Sequence, residues 1–133
     1  MTRIVLVMHD PLASALASCA RHILGQEPNL DVVDIVGTDV PEQRMPEILG
    51  ILTRSPASPT LILCDIFGAT PFNTARKAMD RARSEGYEVE VMAGANLCML
   101  LKALTAPRDD FRAFLRAVRA AATRGIVCAG DPS

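Results

Sequence analysis

Short apolar runs that alternate with segments of helical periodicity constrain the fold of this chain more than any other feature of its sequence. Residues 3–9 (RIVLVMH) and 60–65 (TLILCD) are almost uninterrupted apolar runs, which are typical of strands covered on both faces in a parallel sheet. Two further strands are predicted at residues 30–36 and 87–92, and a short final strand at residues 126–128. The direction of this last strand stays open.

The segment after the first strand carries the signals of a helix. Asp10 and Pro11 predict its N-cap and first helical position, and Gly25 predicts its end. The apolar residues that recur at helical spacing, and that we expect to form its buried stripe, are Leu12, Leu16, Cys19 and Ile23.

Helices are also predicted after the other strands. Pro41 predicts the start of the second helix, and Thr70 with Pro71 predicts the cap and first position of the third. Two more helices are predicted at residues 97–104 and 109–123.

Strands that alternate with helices favour right-handed crossovers and a largely parallel sheet. The predicted fold is therefore α/β, with a single domain over residues 1–133, a mainly parallel four-stranded sheet with helices on both faces, and the short C-terminal strand. The chain has 133 residues, half of them hydrophobic, so it can bury a core without disulfides or metal ions.

Charge and composition exclude several classes of protein. The 14 basic and 15 acidic residues are interspersed, the net charge is -1, and Trp is absent, so nucleic-acid binding is not expected. The N-terminal apolar run is broken after residue 8 by His9, Asp10 and Pro11. It is too short for a signal peptide or a membrane span, so we expect a cytoplasmic protein without direct membrane insertion.

The four cysteines are widely spaced within apolar stretches and form no CxxC pair. This pattern indicates neither a redox motif nor a metal site. The prediction is that they are reduced thiols in the core of a cytosolic protein, at Cys19, Cys64, Cys98 and Cys128.

The carboxyl ends of the predicted strands gather the polar residues that can carry chemistry. In parallel sheets ligands bind at this edge, and it presents His9, Asp65 and a turn at residues 94–96. Asp65 can accept a hydrogen bond from Nδ1 of His9, which leaves the Nε2 lone pair free to attack an electrophile. The alternative is that both residues have structural roles only: His9 as a hydrogen-bonded histidine at a crowded strand end, and Asp65 as a helix-cap or turn aspartate. His22 lies off the helix stripe, so we expect it at the surface.

The segment after Asp65 has the features of an anion site. Gly68, Ala69 and Thr70 offer backbone N–H groups at the start of a helix, and Thr70 adds a hydroxyl. The sequence contains no P-loop, GxGxxG, nucleophile elbow or HExxH, so an ATP-dependent kinase or dinucleotide enzyme is not indicated. A histidine that takes a phosphoryl group from a phosphoprotein needs neither a metal nor an organic cofactor, and none is predicted.

Three segments carry a resemblance to a known family: residues 7–9 (VMH), 64–73 (CDIFGATPFN) and 94–100 (GANLCML). On these the chain resembles, over nearly its whole length, the IIA component of the mannose-type branch of the bacterial phosphoenolpyruvate:sugar phosphotransferase system. The resemblance implies that His9 is phosphorylated by the histidine phosphocarrier protein and passes the group to a IIB component for sugar uptake. It also implies that Asp65 orients His9, that Thr70 lies beside the phosphoryl group, and that the protein is a homodimer with an exchanged final strand.

Three residues depart from the family pattern. Asp10 stands where the family usually has Gly, Ala69 replaces a second Gly, and Cys98 replaces a Pro. A carboxylate beside a dianionic phosphoryl group is unfavourable, so we expect Asp10 to cap the first helix and to point away from the site. Ala69 is tolerable if its φ is negative, and Cys98 removes only a rigid helix start.

Other functions stay open at the level of sequence. A IIA protein can act as a regulator whose phosphorylation state controls a partner, without sugar transport. The same polar edge can serve a small-molecule binding module in which His9 only donates or accepts a hydrogen bond. A domain that feeds phosphate to a dihydroxyacetone kinase looks similar as well.

Overall fold

The computed structural model describes residues 1–130, in which four strands alternate with four helices and a fifth helix follows. In chain order the elements are β1 (Arg3–His9), α1 (Leu12–Leu24), β2 (Asp31–Ile35), α2 (Pro41–Leu52), β3 (Thr60–Cys64), α3 (Thr70–Ser84), β4 (Val89–Met92), α4 (Leu97–Thr105) and α5 (Phe111–Arg124). The strands form one sheet in the order β2-β1-β3-β4, and each neighbouring pair is parallel. The predicted parallel α/β fold is confirmed.

Helices cover both faces of the sheet, and the alternation of side chains along β1 shows how. Val5 and Val7 lie in one core with residues of α2 and α3. Ile4, Leu6 and Met8 lie in a second core with residues of α1, α4 and α5. Because β1 is central and buried on both faces, its apolar run needs no polar alternation until it reaches the sheet edge.

The buried face of α1 differs from the predicted stripe. Ala13 and Ala20 are fully buried, and Leu16 of the predicted stripe is half-buried against the core, whereas Leu12, Cys19 and Ile23 are exposed. Both sets of residues have helical spacing, so periodicity alone does not choose between them. The alanine face allows the closer approach of α1 to the sheet, and this packing decides which set is buried.

Two predicted helix caps are wrong. Pro11 occupies the N-cap of α1 and Asp10 makes no capping bond; instead Asp34 of β2 accepts from the Ser14 backbone N–H at 3.3 Å and from the Ser14 hydroxyl. At α3 the N-cap is Ala69 rather than Thr70, which is the first helical residue. The cap of α1 comes from a neighbouring strand, so no local sequence signal reveals it.

The chain beyond α5 also differs from the prediction. Residues 126–128 form no strand in the part of the chain that is described, and Ile126 and Val127 are 78% and 76% exposed. A strand needs a neighbour to bond with, and within one chain residues 126–128 pair with none of the four strands.

No helix within residues 1–130 is long and apolar enough to cross a bilayer.

Of the four cysteines, only Cys64 lies in the core as predicted. Cys19, Cys98 and Cys128 are exposed. Cys19 falls on the outer face of α1, and Cys128 follows the last helix. Cys98 packs against Gly125, where an added Cβ would lie 2.4 Å from its Sγ, so this contact requires a glycine.

Candidate functional site

His9 is the last residue of β1 and the point at which the buried strand emerges at the sheet edge. Met8 before it is fully buried, whereas the His9 side chain is 47% exposed. By the alternation of side chains, His9 lies on the same face as Val5 and Val7, which is the face covered by α2 and α3. The ring is therefore held by the strand and accessible from outside.

Asp65 follows β3 directly and is bonded to His9. Its Oδ2 accepts from the His9 backbone N–H at 3.0 Å and lies 2.8 Å from His9 Nδ1, while Oδ1 accepts from the Ile66 backbone N–H at 2.9 Å. The carboxylate is only 9% exposed. An ionised carboxylate is purely an acceptor, so Nδ1 carries the proton and Nε2 presents its lone pair.

The environment of Asp65 keeps it ionised. Burial alone would raise the pKa of this carboxyl, but hydrogen bonds from the His9 backbone, the His9 ring and the Ile66 backbone outweigh it and hold the pKa below its usual range. The neighbouring Cys64 has no such donors: burial, and then the charge of Asp65, raise the pKa of its thiol to about 12. Cys64 is therefore neutral at physiological pH and does not compete with His9 as a nucleophile.

The loop between Asp65 and α3 brings backbone N–H groups to the face of the sheet that carries His9. Gly68 has a φ of +84°, a conformation that glycine adopts without strain, and Ala69 is extended with a φ of -83°. The negative φ confirms that alanine is tolerable there. The Asn73 side-chain amide donates to the Gly68 carbonyl at 3.1 Å, and α3 then runs for 15 residues with its N-terminal end at this loop. Such an end favours anions.

Gly68, Ala69 and Thr70 follow Asp65 closely in the sequence. They make no hydrogen bond to Asp65 or to His9 within residues 1–130. The Thr70 carbonyl accepts from the Thr74 hydroxyl at 2.7 Å. The histidine and aspartate are joined directly, and the three loop residues are brought to the same edge of the sheet by chain connectivity.

The predicted turn at residues 94–96, after β4, is hydrogen-bonded to the backbone of Asp65 and of the residue before it. Gly94 N–H donates to the Asp65 carbonyl at 3.1 Å, and Ala95 N–H donates to the Cys64 carbonyl at 3.0 Å. Asn96 then caps α4 by accepting from the Met99 backbone N–H at 2.9 Å, and its amide donates to the Ala122 carbonyl of α5 at 3.2 Å. The turn therefore fixes the end of β3 that carries Asp65.

A cavity of about 840 Å³ opens beside Asp65, on the side of β4 and α5. Its lining includes Phe67, a residue that is 74% exposed and whose ring packs on the Phe72 ring at a centroid distance of 4.7 Å. It also includes Arg116 and Arg119 of α5. These two arginines were not predicted as site residues, and the only signal in the sequence is their spacing of three on a helix without acidic residues.

Two other polar residues considered in the sequence, Asp10 and His22, make no side-chain bond to the site within residues 1–130. Asp10 is exposed; its backbone N–H donates to the Ile35 carbonyl at 2.9 Å, but its carboxylate makes no bond within residues 1–130. The prediction that it caps α1 is wrong, because Asp34 supplies that function. His22 is exposed on α1, as expected for a surface residue.

Comparisons with known proteins agree on one family. Residues 3–119 match the family described as PTS system fructose IIA component. The chain is 27% identical over 99 residues to the PTS system sorbose-specific EIIA component of Lacticaseibacillus casei, which covers 74% of this chain and 69% of that protein. It is 32% identical over 108 residues to the PTS system mannose-specific EIIAB component of Escherichia coli K12, covering 80% of this chain but only 32% of that protein.

Solved structures share the fold over almost the full length. A mannose/sorbose specific IIA subunit of the phosphotransferase system from Enterococcus faecalis superposes with a TM-score of 0.85 at 23% identity, covering 99% of this chain and 97% of the other. The phosphotransferase system component EIIA from Streptococcus agalactiae gives a TM-score of 0.84 at 21% identity, covering 96% and 97%. At these identities the likeness establishes the fold.

Proposed function

Because the chain belongs to the PTS system fructose IIA component family, the mannose-type IIA proteins of the sugar phosphotransferase system, we propose that it is a phosphohistidine relay protein with His9 as the phosphoryl acceptor. The observation that carries the proposal is the 2.8 Å contact between His9 Nδ1 and Asp65 Oδ2. It directs the Nε2 lone pair of a half-exposed ring towards an incoming donor.

The transfer step follows from this geometry. Nε2 of His9 attacks the phosphorus of the phosphorylated donor; the new N–P bond forms as the bond to the donor breaks, and the electron pair of that bond returns to the donor. The His9 ring becomes cationic while Nδ1 keeps its proton, and the ionised Asp65 stabilises this charge. Transfer onwards reverses these roles with a second partner.

The loop before α3 is the proposed phosphate cradle. Gly68, Ala69 and Thr70 present backbone N–H groups at the positive end of a 15-residue helix, and Thr70 adds its hydroxyl. The phosphoryl oxygens are charged throughout the transfer, so donors that are already in place stabilise them without reorganisation. Neither a metal nor an organic cofactor has a part in this step.

Partners and context complete the proposal. The donor is the histidine phosphocarrier protein, the recipient is a IIB component that serves sugar uptake, and residues 1–133 act as a single cytoplasmic phosphocarrier domain. We also propose a homodimer with the final strand exchanged between subunits. The apolar and exposed Ile126 and Val127 support it, because such side chains are normally covered.

The first test is phosphorylation of the wild-type chain and of His9→Ala, with His22→Ala as the matched control. Each is incubated with enzyme I, the histidine phosphocarrier protein and labelled phosphoenolpyruvate. We expect an acid-labile, alkali-stable label on the wild type and on His22→Ala, and none on His9→Ala. Absence of label on the wild type with a competent donor would overturn the relay and favour a binding module.

A further inference from the structure

A pocket of about 230 Å³ lies at the amino ends of the strands, on the edge of the sheet opposite His9. Its charged side chains are three arginines and one carboxylate: Arg3, Arg54, Arg108 and Asp31. The arginines come from the start of β1, from the loop after α2 and from the segment before α5. The fold therefore brings positive charge from three distant parts of the chain to one recess.

The carboxylate of this pocket is already paired. Both oxygens of Asp31 accept from the guanidinium of Arg54, at 2.8 Å and 3.3 Å. Such a bidentate pair is neutral as a unit. Arg3 and Arg108 supply the remaining charge, and neither forms an ion pair within residues 1–130.

Backbone carbonyls hold these two arginines in place. The Arg3 guanidinium donates to three carbonyls within residues 51–56, at 3.1, 3.2 and 3.1 Å. Arg108 donates to the Thr2 carbonyl at 3.0 Å, and the Thr2 hydroxyl donates back to the Arg108 carbonyl at 3.3 Å. Neutral carbonyls satisfy some N–H groups but do not cancel a positive charge, so each guanidinium keeps its charge and further donors.

Both guanidinium groups are partly removed from water. Burial lowers the pKa of Arg108, and burial followed by the charge of Arg54 lowers the pKa of Arg3. Arginine stays protonated in proteins all the same. The pocket thus contains two half-buried cations that have lost hydration without gaining a counter-ion, and an anion placed between them would offset this cost.

We propose that this pocket binds the phosphate group of a small phosphomonoester. Such a group carries close to two negative charges at neutral pH, which matches the two unpaired arginines, Arg3 and Arg108. Guanidinium groups also bind phosphate oxygens through two parallel hydrogen bonds. The volume of about 230 Å³ equals that of about seven water molecules in the liquid, which is room for a phosphate with a small organic group.

The proposed site is separate from the phosphoryl-transfer site. Arg3 begins β1 and His9 ends it, so a ligand bound at Arg3 leaves the histidine accessible. The inference does not depend on phosphorylation of His9. A ligand that contacts both Arg3 and Arg108 would link the start of β1 to the segment before α5, and it should therefore stabilise the folded state.

The test is a titration of the ¹⁵N-labelled chain with glycerol 3-phosphate at constant ionic strength. Backbone amide shifts at residues 2–4, 31 and 108 report this pocket, and those at residues 67–70 report the loop beside His9 separately. We expect saturable shifts at the pocket, weakened by about tenfold or more in Arg108→Gln because a charge-assisted hydrogen bond is lost. The matched control is Arg76→Gln, which removes an exposed arginine of α3 without an ion pair in residues 1–130 and should bind like the wild type.

Asp31→Asn guards against misfolding, because its expected effect has the opposite sign. It removes the carboxylate that repels the ligand, so binding should tighten by about threefold, whereas a damaged pocket would bind more weakly. No saturable shift at the pocket, an equal loss in Arg76→Gln, or weaker binding in Asp31→Asn overturns the inference.

Two further ligands test the chemical class. Succinate is a dianion without phosphate, and equal binding of succinate would overturn the assignment to phosphate. Vesicles of phosphatidylcholine with phosphatidic acid present the same phosphomonoester on a lipid. Binding to these vesicles that requires Arg108, without any response to glycerol 3-phosphate, would assign the pocket to a membrane surface and overturn the small-molecule site. Failure of His9 to accept phosphate would remove the proposed function and leave this result unchanged.

Discussion

At the scale of single residues, one carboxylate oxygen fixes the site. Asp65 Oδ2 accepts hydrogen bonds from both the His9 backbone N–H and ring Nδ1. Asp65, which follows the neighbouring strand β3, therefore fixes the ring relative to the end of β1. The pair could be predicted from the sequence because both residues end apolar runs at the same sheet edge. Arg116 and Arg119 could not, because only the packing of α5 brings them to the cavity of Asp65.

Asp65→Asn tests the role of this oxygen. An asparagine amide that donates to Nδ1 stabilises the tautomer with the proton on Nε2, which has no lone pair for attack. We expect the rate of phosphorylation of His9 to fall by about a hundredfold, because the nucleophile is held in the wrong tautomer. The measurement is the initial rate of label transfer from the phosphorylated histidine phosphocarrier protein.

Asp10→Asn is the matched control, since it removes the same charge from the residue next to His9. The Asp10 carboxylate makes no bond within residues 1–130, so its loss should leave the rate unchanged or raise it by reducing repulsion of the phosphoryl group. Equal losses in the two variants would show that charge near the ring, rather than the hydrogen bond to Nδ1, controls the rate.

At the scale of elements, contacts from outside the local sequence decide how several helices begin and pack. The apolar runs and prolines place all four strands and five helices to within a few residues. They do not reveal that Asp34 caps α1 from β2, or that α1 fully buries two alanines while only Leu16 of the predicted stripe packs against the core. Residues 126–128 have strand composition without a strand partner in the same chain.

Asn96 is hydrogen-bonded to two helices, α4 and α5, and so gives a prediction at the scale of elements. Its Oδ1 caps α4 and its amide donates to the last turn of α5. Asn96→Ala should lower the free energy of unfolding by about 1–2 kcal/mol, measured by urea denaturation, since it removes a cap and leaves the Ala122 carbonyl without this donor.

Asn96→Asp separates the two contributions, because aspartate keeps the capping oxygen and loses the amide donor. A loss smaller than that of Asn96→Ala is expected if the cap dominates. If Asn96→Asp is as destabilising as Asn96→Ala, the stability that Asn96 contributes comes from the hydrogen bond to α5 and not from the cap of α4.

At the scale of the whole molecule, the sheet topology brings distant parts of the chain to one edge. His9 comes from the central strand, Asp65 from the strand beside it, and the turn that holds Asp65 from the end of β4. The bond between His9 and Asp65 therefore links strand ends that are 56 residues apart. Such a long-range bond exists only in the folded state, so it couples the chemistry of the site to the stability of the fold.

This coupling predicts how stability depends on pH. The folded state holds the pKa of Asp65 below its usual value, which is about 3.9 in an unfolded chain. A carboxyl with a lowered pKa stabilises the fold fully above its unfolded pKa and loses that contribution as the pH falls through its folded pKa. Compared with Asp65→Asn, the wild type should have its largest advantage in unfolding free energy near neutral pH, and the advantage should shrink below about pH 4.

Urea denaturation of the wild type and Asp65→Asn across this pH range measures the difference in their unfolding free energies. The contributions of the other carboxyls are nearly the same in both proteins and largely cancel in this difference. A difference that stays constant from neutral to acid pH would show that Asp65 contributes through packing and not through its charge. A narrowing difference would mean that the hydrogen bonds which orient His9 also stabilise the fold, so that acid weakens the site and the sheet edge together.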